Sequence, residues 1–128
     1  MADLQARMQT LSEEFTKFQN DLQEAVGSRQ KLEAQRQENL GVQKEFGKLK
    51  ADETIYKLIG PVLLKQDRTD AESTVNGRLE FITKEISRLE SHIKDTQAKI
   101  EKKKSEIIQL QTSAQAAAAG GGKQAVKA

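Results

Sequence analysis

Apolar residues in this chain recur at alternating steps of four and three positions, and this spacing is interrupted once, between residues 54 and 66. After the interruption the same stepping runs from Val75 to Ala117 without a break. Before it, the apolar positions are Leu4, Met8, Leu11, Phe15, Phe18, Leu22 and Ala25. This spacing is typical of coiled-coil helices, whose apolar residues form one seam along the helix. We therefore predict two long helices, at 3–50 and 69–118.

The interrupting segment, residues 54–66, carries the pattern of a β-hairpin. Two short apolar runs flank Gly60 and Pro61, and the sequence leaves the turn type open because a proline can sit at either central position of the turn. Ile55 and Ile59 fall on one face of the first strand, and both faces of the hairpin are apolar. Because an isolated hairpin is marginally stable in water, we expect this one to assemble with other chains. The predicted assembly residues are Ile55, Tyr56, Leu58, Ile59, Val62, Leu63 and Leu64.

The seam of the first helix becomes polar as it approaches the hairpin. Four of its six last positions are Arg29, Arg36, Asn39 and Gln43, so we expect weaker helix packing there. At the start of the second helix, Thr69 followed by Glu72 fits a capping box, and Asp67 or Asp70 are alternative caps.

A hairpin between two helices of similar length predicts a mainly α fold, a long antiparallel two-helix coiled coil. Two registers fit the seams. In one, facing residue numbers sum to 118, which places Phe15 opposite Lys103. In the other they sum to 125, which places Phe15 opposite Leu110. The second register is favoured because it pairs more apolar residues.

Composition excludes several classes of protein. With 4% aromatic and 31% charged residues, the chain has too little apolar surface for a compact core of ordinary size. It has no cysteine, so disulfides and thiolate sites are excluded. No signal peptide or membrane-spanning run is evident, and a formal net charge of +2 does not indicate nucleic-acid binding. We expect a soluble protein.

The residues offer little for catalysis, and we predict no enzyme activity, no metal site and no cofactor. His92 is the single histidine and lies beside the second seam, where a solvated position is expected. The segment 41–48 resembles a phosphate-binding loop only faintly, because its spacing is one residue too long and Leu49 replaces the required Ser or Thr.

The last residues differ in composition from the rest of the chain. Three consecutive glycines follow a polyalanine run, and residues 120–128 contain little else that favours folding. We predict a single domain at 1–119 and a disordered tail at 120–128.

Three segments together resemble the β-class subunits of prefoldin. The most specific is the hairpin sequence YKLIGPVLLKQ at 56–66. The other two are GSRQKLEAQ at 27–35 and the opening of the second helix at 75–82. The resemblance covers about residues 1–118, and the single hairpin fits the β class.

The resemblance implies a subunit of a hexameric, ATP-independent co-chaperone in the cytoplasm. Its partners would be α- and β-class prefoldin subunits, whose hairpins join into a β-barrel from which the coiled coils project. Such complexes capture non-native proteins, among them actin and tubulin, and transfer them to the cytosolic chaperonin. No nucleic-acid or membrane partner is implied.

The free end of the coiled coil is the predicted site for clients. The last turns of a two-helix coil have fewer neighbours, so their seam residues can open and become exposed. Met8 is suited to adaptable contacts because its side chain is unbranched and polarizable. The candidate client-binding residues are Leu4, Met8, Leu11, Ile107 and Leu110.

Two other functions fit parts of the sequence. A structural coiled-coil tether has the same seams, but it does not need an apolar hairpin at its bend. A helical nucleic-acid-binding protein needs a face of positive charge, whereas lysine and glutamate are mixed throughout these helices.

Overall fold

A computed structural model describes the backbone of residues 2–127 and the side chains of residues 2–119. In chain order it contains helix α1 (Ala2–Lys48), strands β1 (Ile55–Ile59) and β2 (Val62–Gln66), and helix α2 (Arg68–Lys127). The fold is mainly α with one antiparallel hairpin, as predicted. Helix α2 extends beyond the predicted end at 118. The predicted disorder of residues 120–128 stays a prediction, because these residues lie outside the range 2–119 whose side chains are described.

Helix α1 ends at Lys48, two residues before the predicted end at residue 50. The N–H of Leu49 donates to the carbonyl of Phe46 at 3.2 Å, three residues back instead of four. Such a tightened last turn is common where an α-helix terminates. The chain then crosses to β1 through residues 49–54.

Helix α2 begins at Arg68 and is capped by Asp67. The Asp67 carboxylate accepts a hydrogen bond of 3.2 Å from the N–H of Asp70, which is the usual geometry of an N-cap. The expected capping box of Thr69 and Glu72 is not formed, because the Glu72 carboxylate accepts instead from the Arg68 guanidinium at 3.0 Å. Of the three alternatives, Asp67 is the one that the structure selects.

The predicted seams are the buried faces of both helices. Ile86 has only 2% of its surface exposed, and every seam position of α2 from Val75 to Leu110 is buried or half-buried. On α1 only Ala25 is buried, and the other seam residues are half-buried except Gln43, which is exposed. The buried seam residues of α2 are Val75, Ile82, Ile86, Leu89, Thr96 and Leu110.

The contacts divide the chain into two compact units. The terminal unit consists of Met1–Val26 and Ser91–Ala128, and the hairpin unit is Gly27–Glu90. Each unit contains a segment of α1 and a segment of α2. The hairpin and the adjoining helix ends belong to the hairpin unit, and both chain ends belong to the terminal unit.

The helix segments pair in the register whose facing residue numbers sum to 118, and the favoured alternative of 125 is wrong. The residue numbers of the side-chain pairs between the helix segments add up to 117 in the terminal unit and to 119 in the hairpin unit. In the terminal unit the contacts are Glu14 with Lys103 and Phe18 with Lys99. In the hairpin unit they are Arg29 with Glu90 at 3.3 Å and Gln43 with Asn76 at 2.7 Å.

Arg68 explains the register in the hairpin unit. Its guanidinium donates to the carbonyl of Phe46 at 2.8 Å, which also accepts from the N–H of Leu49, and to the carbonyl of Leu49 at 3.4 Å, so it binds the backbone at the end of α1. A sum of 125 would place Phe46 level with Leu79, which is about 16 Å from Arg68 at the rise of an α-helix. The start of α2 therefore has to stay beside the end of α1.

We expect Arg68→Met to lower the free energy of unfolding by about 1.5 to 3 kcal/mol, the range for hydrogen bonds to charged groups. Arg68→Lys keeps the charge but not the planar fork that reaches two carbonyls, so it is expected to recover only part of the loss. Urea denaturation followed by circular dichroism measures both values. A Met variant as stable as the wild type would show that the register does not depend on Arg68.

Candidate assembly hairpin and terminal groove

The hairpin is closed by a two-residue turn in which Gly60 comes first and Pro61 second. Gly60 has a φ of +58°, in the left-handed region that glycine adopts without a Cβ clash. The ring of Pro61 holds φ at about −65°, which excludes a type I′ turn because both central residues would need positive φ. The turn is therefore of type II′, which settles the question left open by the sequence.

The strands pair in a register that places each side chain on a definite face. Ile59 lies opposite Val62, and Ile55 lies opposite Gln66. Since side chains alternate along a strand, the five pairs separate into two faces. Face one comprises Tyr56, Leu58, Leu63 and Lys65, and face two comprises Ile55, Lys57, Ile59, Val62, Leu64 and Gln66.

Both faces expose large apolar side chains. On face one, Leu58 is 67% exposed and Leu63, directly opposite, is 62% exposed. On face two, Ile59, Val62 and Leu64 are exposed, and Ile55 is half-buried. Contiguous apolar surface of this kind marks an interaction site in a soluble protein.

The terminal unit contains a groove of about 770 Å³ between the two helix segments. Leu4 and Leu11 from α1 and Leu110 from α2 contribute its large apolar side chains. Its other lining residues are Ala6, Arg7, Thr10, Glu106, Gln109, Ser113, Ala114 and Ala117. The groove is therefore lined by apolar side chains together with several charged and polar ones.

Three of the five candidate client residues line this groove and two do not. Leu4 and Leu11 are half-buried, while Leu110 is only 7% exposed. Met8 and Ile107 are half-buried and are not among the lining residues. A client in the groove would thus contact Leu4 and Leu11 and the small exposed part of Leu110, whereas Met8 and Ile107 lie outside the groove.

A lysine on the seam of α2 lies next to the groove. The Lys103 ammonium pairs with the Glu14 carboxylate across the helices and with Glu106 at 3.4 Å on its own helix. The hydrogen bond that Lys103 donates to Glu14 is the main reason that the pKa of Lys103 is raised above its ordinary value, although desolvation lowers it. Glu106 also borders the groove, so this charge cluster adjoins the candidate client site.

The polar seam residues of the hairpin unit find partners. The Arg36 guanidinium donates to the Glu33 carboxylate at 2.8 Å, and Gln37 donates to the same oxygen at 3.1 Å. The hydrogen bonds from Gln37 and Arg36 lower the pKa of Glu33. Gln43 bonds to Asn76 across the helices. The predicted polar stretch is thus present, and side-chain hydrogen bonds replace part of the missing apolar packing.

The described residues contain no arrangement suited to a metal ion, since no group of three or more His, Cys, Asp or Glu side chains converges there. His92 is exposed, as expected for a solvated helix face. In the same part of the chain, neither helix combines the length and apolar character needed to cross a bilayer.

Sequence reasoning missed Arg68 and Glu14. Arg68 follows an N-cap and has the pattern of an ordinary first-turn residue, so nothing local signals its bonds to the end of α1. Glu14 adjoins Phe15 on the seam, and its pairing with Lys103 could have been found only if the register had been known.

Comparison with known proteins identifies the family. The family model described as "Prefoldin subunit" matches residues 4–114. The chain belongs to the prefoldin subunit family. Prefoldin subunit 6 of Saccharomyces cerevisiae is 45% identical over 107 residues, covering 84% of this chain and 94% of the yeast protein. Prefoldin subunit 6 of Homo sapiens is 42% identical over 124 residues, covering 94% and 96%.

Solved prefoldin structures share the fold. The crystal structure of the prefoldin beta subunit from Thermococcus strain KS-1 superposes with a TM-score of 0.72 at 22% identity, covering 79% of this chain and 89% of that one. The prefoldin beta2 subunit of the same strain gives a TM-score of 0.60, covering 71% and 97%. The resemblance to prefoldin subunits is therefore confirmed, and the fold is the one found in solved prefoldin beta subunits.

Proposed function

We propose that this chain is one subunit of a cytoplasmic prefoldin hexamer, which captures non-native proteins without ATP and transfers them to the cytosolic chaperonin. Actin and tubulin are the proposed clients. In this proposal the hairpin joins the chain to the other subunits in a shared β-barrel, and the terminal groove contacts the client. The chain itself performs no catalysis.

The observation that carries the proposal is the exposure of apolar side chains on both faces of the hairpin. On face one, more than half of the surface is exposed for each of Tyr56, Leu58 and Leu63. On face two, the same is true of Ile59 and Val62. A sheet with both faces apolar is stable in water only when other chains cover it. A structural tether needs no such surface, so this feature favours the assembled co-chaperone.

The terminal groove supports the client-binding part of the proposal. Its apolar lining offers contact to hydrophobic segments that a folded protein would bury, and each buried aliphatic side chain is worth about 1.5 to 3 kcal/mol. One groove therefore binds weakly. Several subunits that act on one client raise its effective concentration at each groove to about millimolar, which yields firm but reversible capture.

The proposal is tested by diluting unfolded actin into the complex reconstituted from this chain and its partner subunits. We expect the complex to suppress light scattering without ATP, and the actin to fold only after cytosolic chaperonin and ATP are added. An equal mass of an unrelated two-helix coiled coil serves as the control. If the complex suppresses aggregation no better than that control, the tether function is the better account.

A further inference from the structure

The hairpin has two free edges, and its turn determines which residues face them. In a hairpin with a two-residue turn, the pair next to the turn exchanges hydrogen bonds, and alternate residues point their backbone groups outward. Ile59 and Val62 are that pair. Tyr56 and Leu58 therefore present their N–H and C=O groups along the outer edge of β1, and Leu63 and Lys65 do so along β2.

The hairpin carries positive charge only. Lys57 lies in the middle of β1 and Lys65 lies near the end of β2, whereas no Asp or Glu occurs between residues 55 and 66. Both lysines are exposed. Neither has an ion-pair partner among the described side chains.

Self-pairing of β1 would bring two copies of Lys57 together. The antiparallel register that matches all five residues of β1 with a second copy uses the outward groups of Tyr56 and Leu58 and places Tyr56 opposite Leu58. Lys57 is then opposite Lys57 in a non-hydrogen-bonded pair, where the Cα atoms are about 4.5 Å apart. Like charges directly opposite each other destabilise such a pair.

Pairing of β2 with β2 of a second copy does not bring two lysines opposite each other. When all five residues of β2 are matched with a second copy, Leu64 faces Leu64 and Lys65 faces Leu63, so no two lysines are directly opposite. The two lysines therefore differ in their effect on self-pairing, although each contributes the same charge to the hairpin.

We propose that Lys57 prevents β1 from pairing along its outer edge with β1 of a second copy of this chain. Lys57 would instead select a partner strand that carries a carboxylate at the position facing it. The occupant is a strand of another prefoldin subunit, since prefoldin subunits assemble with one another. A lysine on an edge strand is a common defence against unwanted pairing, and here it also favours a partner of opposite charge. This inference rests on the proposed role of the hairpin in assembly.

The test compares two charge reversals that change the net charge equally. Lys57→Glu or Lys65→Glu chains are each mixed with isotope-labelled wild-type chain, and the dimers are counted by native mass spectrometry up to millimolar concentration. For Lys57→Glu the mixed dimer places a carboxylate opposite the wild-type lysine. We expect the association constant of the mixed dimer to be about fivefold larger than it would be if variant and wild-type chains paired without preference. About fivefold corresponds to the upper range for a cross-strand pair. For Lys65→Glu we expect random mixing within about twofold.

A second measurement uses the assembled complex. Lys57→Glu and wild-type chain compete for one place in the reconstituted complex, and we expect the variant to be incorporated about fivefold less, because it would meet a like charge. Lys57→Arg is expected to compete as well as the wild type. The proposal is overturned by random mixing of Lys57→Glu, by undiminished incorporation, or by the absence of any mixed dimer up to millimolar concentration.

These outcomes are separable from a failure of the assembly role itself. Leu58→Asp tests whether the hairpin joins the subunits at all. If that variant still assembles normally, the proposed function of the hairpin fails. If it does not assemble and the Lys57 variants behave like the wild type, only the selection by charge is wrong.

Discussion

Replacement of Leu58 by aspartate is expected to abolish incorporation into the prefoldin complex. Leu58 is 67% exposed in the single chain, and Leu63 faces it across the hairpin. The free chain therefore tolerates the charge, whereas a subunit interface would bury it without a partner at a cost of several kcal/mol. Such a cost lowers the affinity for the other subunits by two to three orders of magnitude or more, at about tenfold for each 1.4 kcal/mol.

Gel filtration with the partner subunits measures this loss, and circular dichroism shows whether the helices persist. Ile108→Asp is the matched control, because Ile108 is also an exposed apolar residue, at 52%, but lies on α2 in the terminal unit. We expect the control to co-elute with its partners. Co-elution of the Leu58 variant would refute the role of the hairpin in assembly.

Removal of residues 1–11 and 107–128 is expected to leave the complex assembled and to impair its protection of unfolded actin. The deletion removes Leu4, Leu11 and Leu110, the large apolar residues of the groove. The hairpin unit keeps its own contacts, because Gly27–Glu90 forms a compact unit by itself. Replacement of residues 120–128 alone is expected to have little effect.

A point substitution tests the groove without removing helix turns. Ala117 is exposed and lines the groove, so Ala117→Glu narrows it and adds a charge without burying one. We expect the variant complex to need several times more protein to suppress the same scattering. Ala118→Glu is the matched control, since Ala118 is exposed on the same helix but does not line the groove.

The groove has no part in client binding if the complex that lacks residues 1–11 and 107–128 and the Ala117→Glu complex both protect actin as well as the wild type. Clients would then bind elsewhere on the coiled coils, with surfaces nearer the hairpin as the first alternative to examine.

Much of the fold could be predicted because the relevant signals are local. The four-three stepping places Ile82, Ile86 and Leu89 on one face of a helix in any context, and all three are buried. Gly60 and Pro61 stop a helix by backbone chemistry alone, so the hairpin was predicted within one residue at its start. The groove itself was not predicted, although three of its residues were singled out.

The register of the helices was decided by tertiary contacts. A heptad pattern repeats itself after seven residues, so a shift of one heptad again places seam against seam, and the sequence offered both sums. The choice depends on polar pairs such as Gln43 with Asn76 and on the guanidinium of Arg68 at the end of α1. These contacts join residues 22 or more positions apart, which no local pattern encodes.

The sequence by itself thus determined two helices, one hairpin, their apolar faces and the resemblance to prefoldin. Only the tertiary structure decided which turns of α1 and α2 lie side by side, which aspartate caps α2, and which apolar residues meet in the terminal groove. The physical reason is that helix periodicity and turn chemistry are properties of neighbouring residues, whereas hydrogen bonds between distant segments depend on where the chain brings them. Arg68 illustrates the difference, because its partners Phe46 and Leu49 can be identified only after the chain has folded back at Gly60.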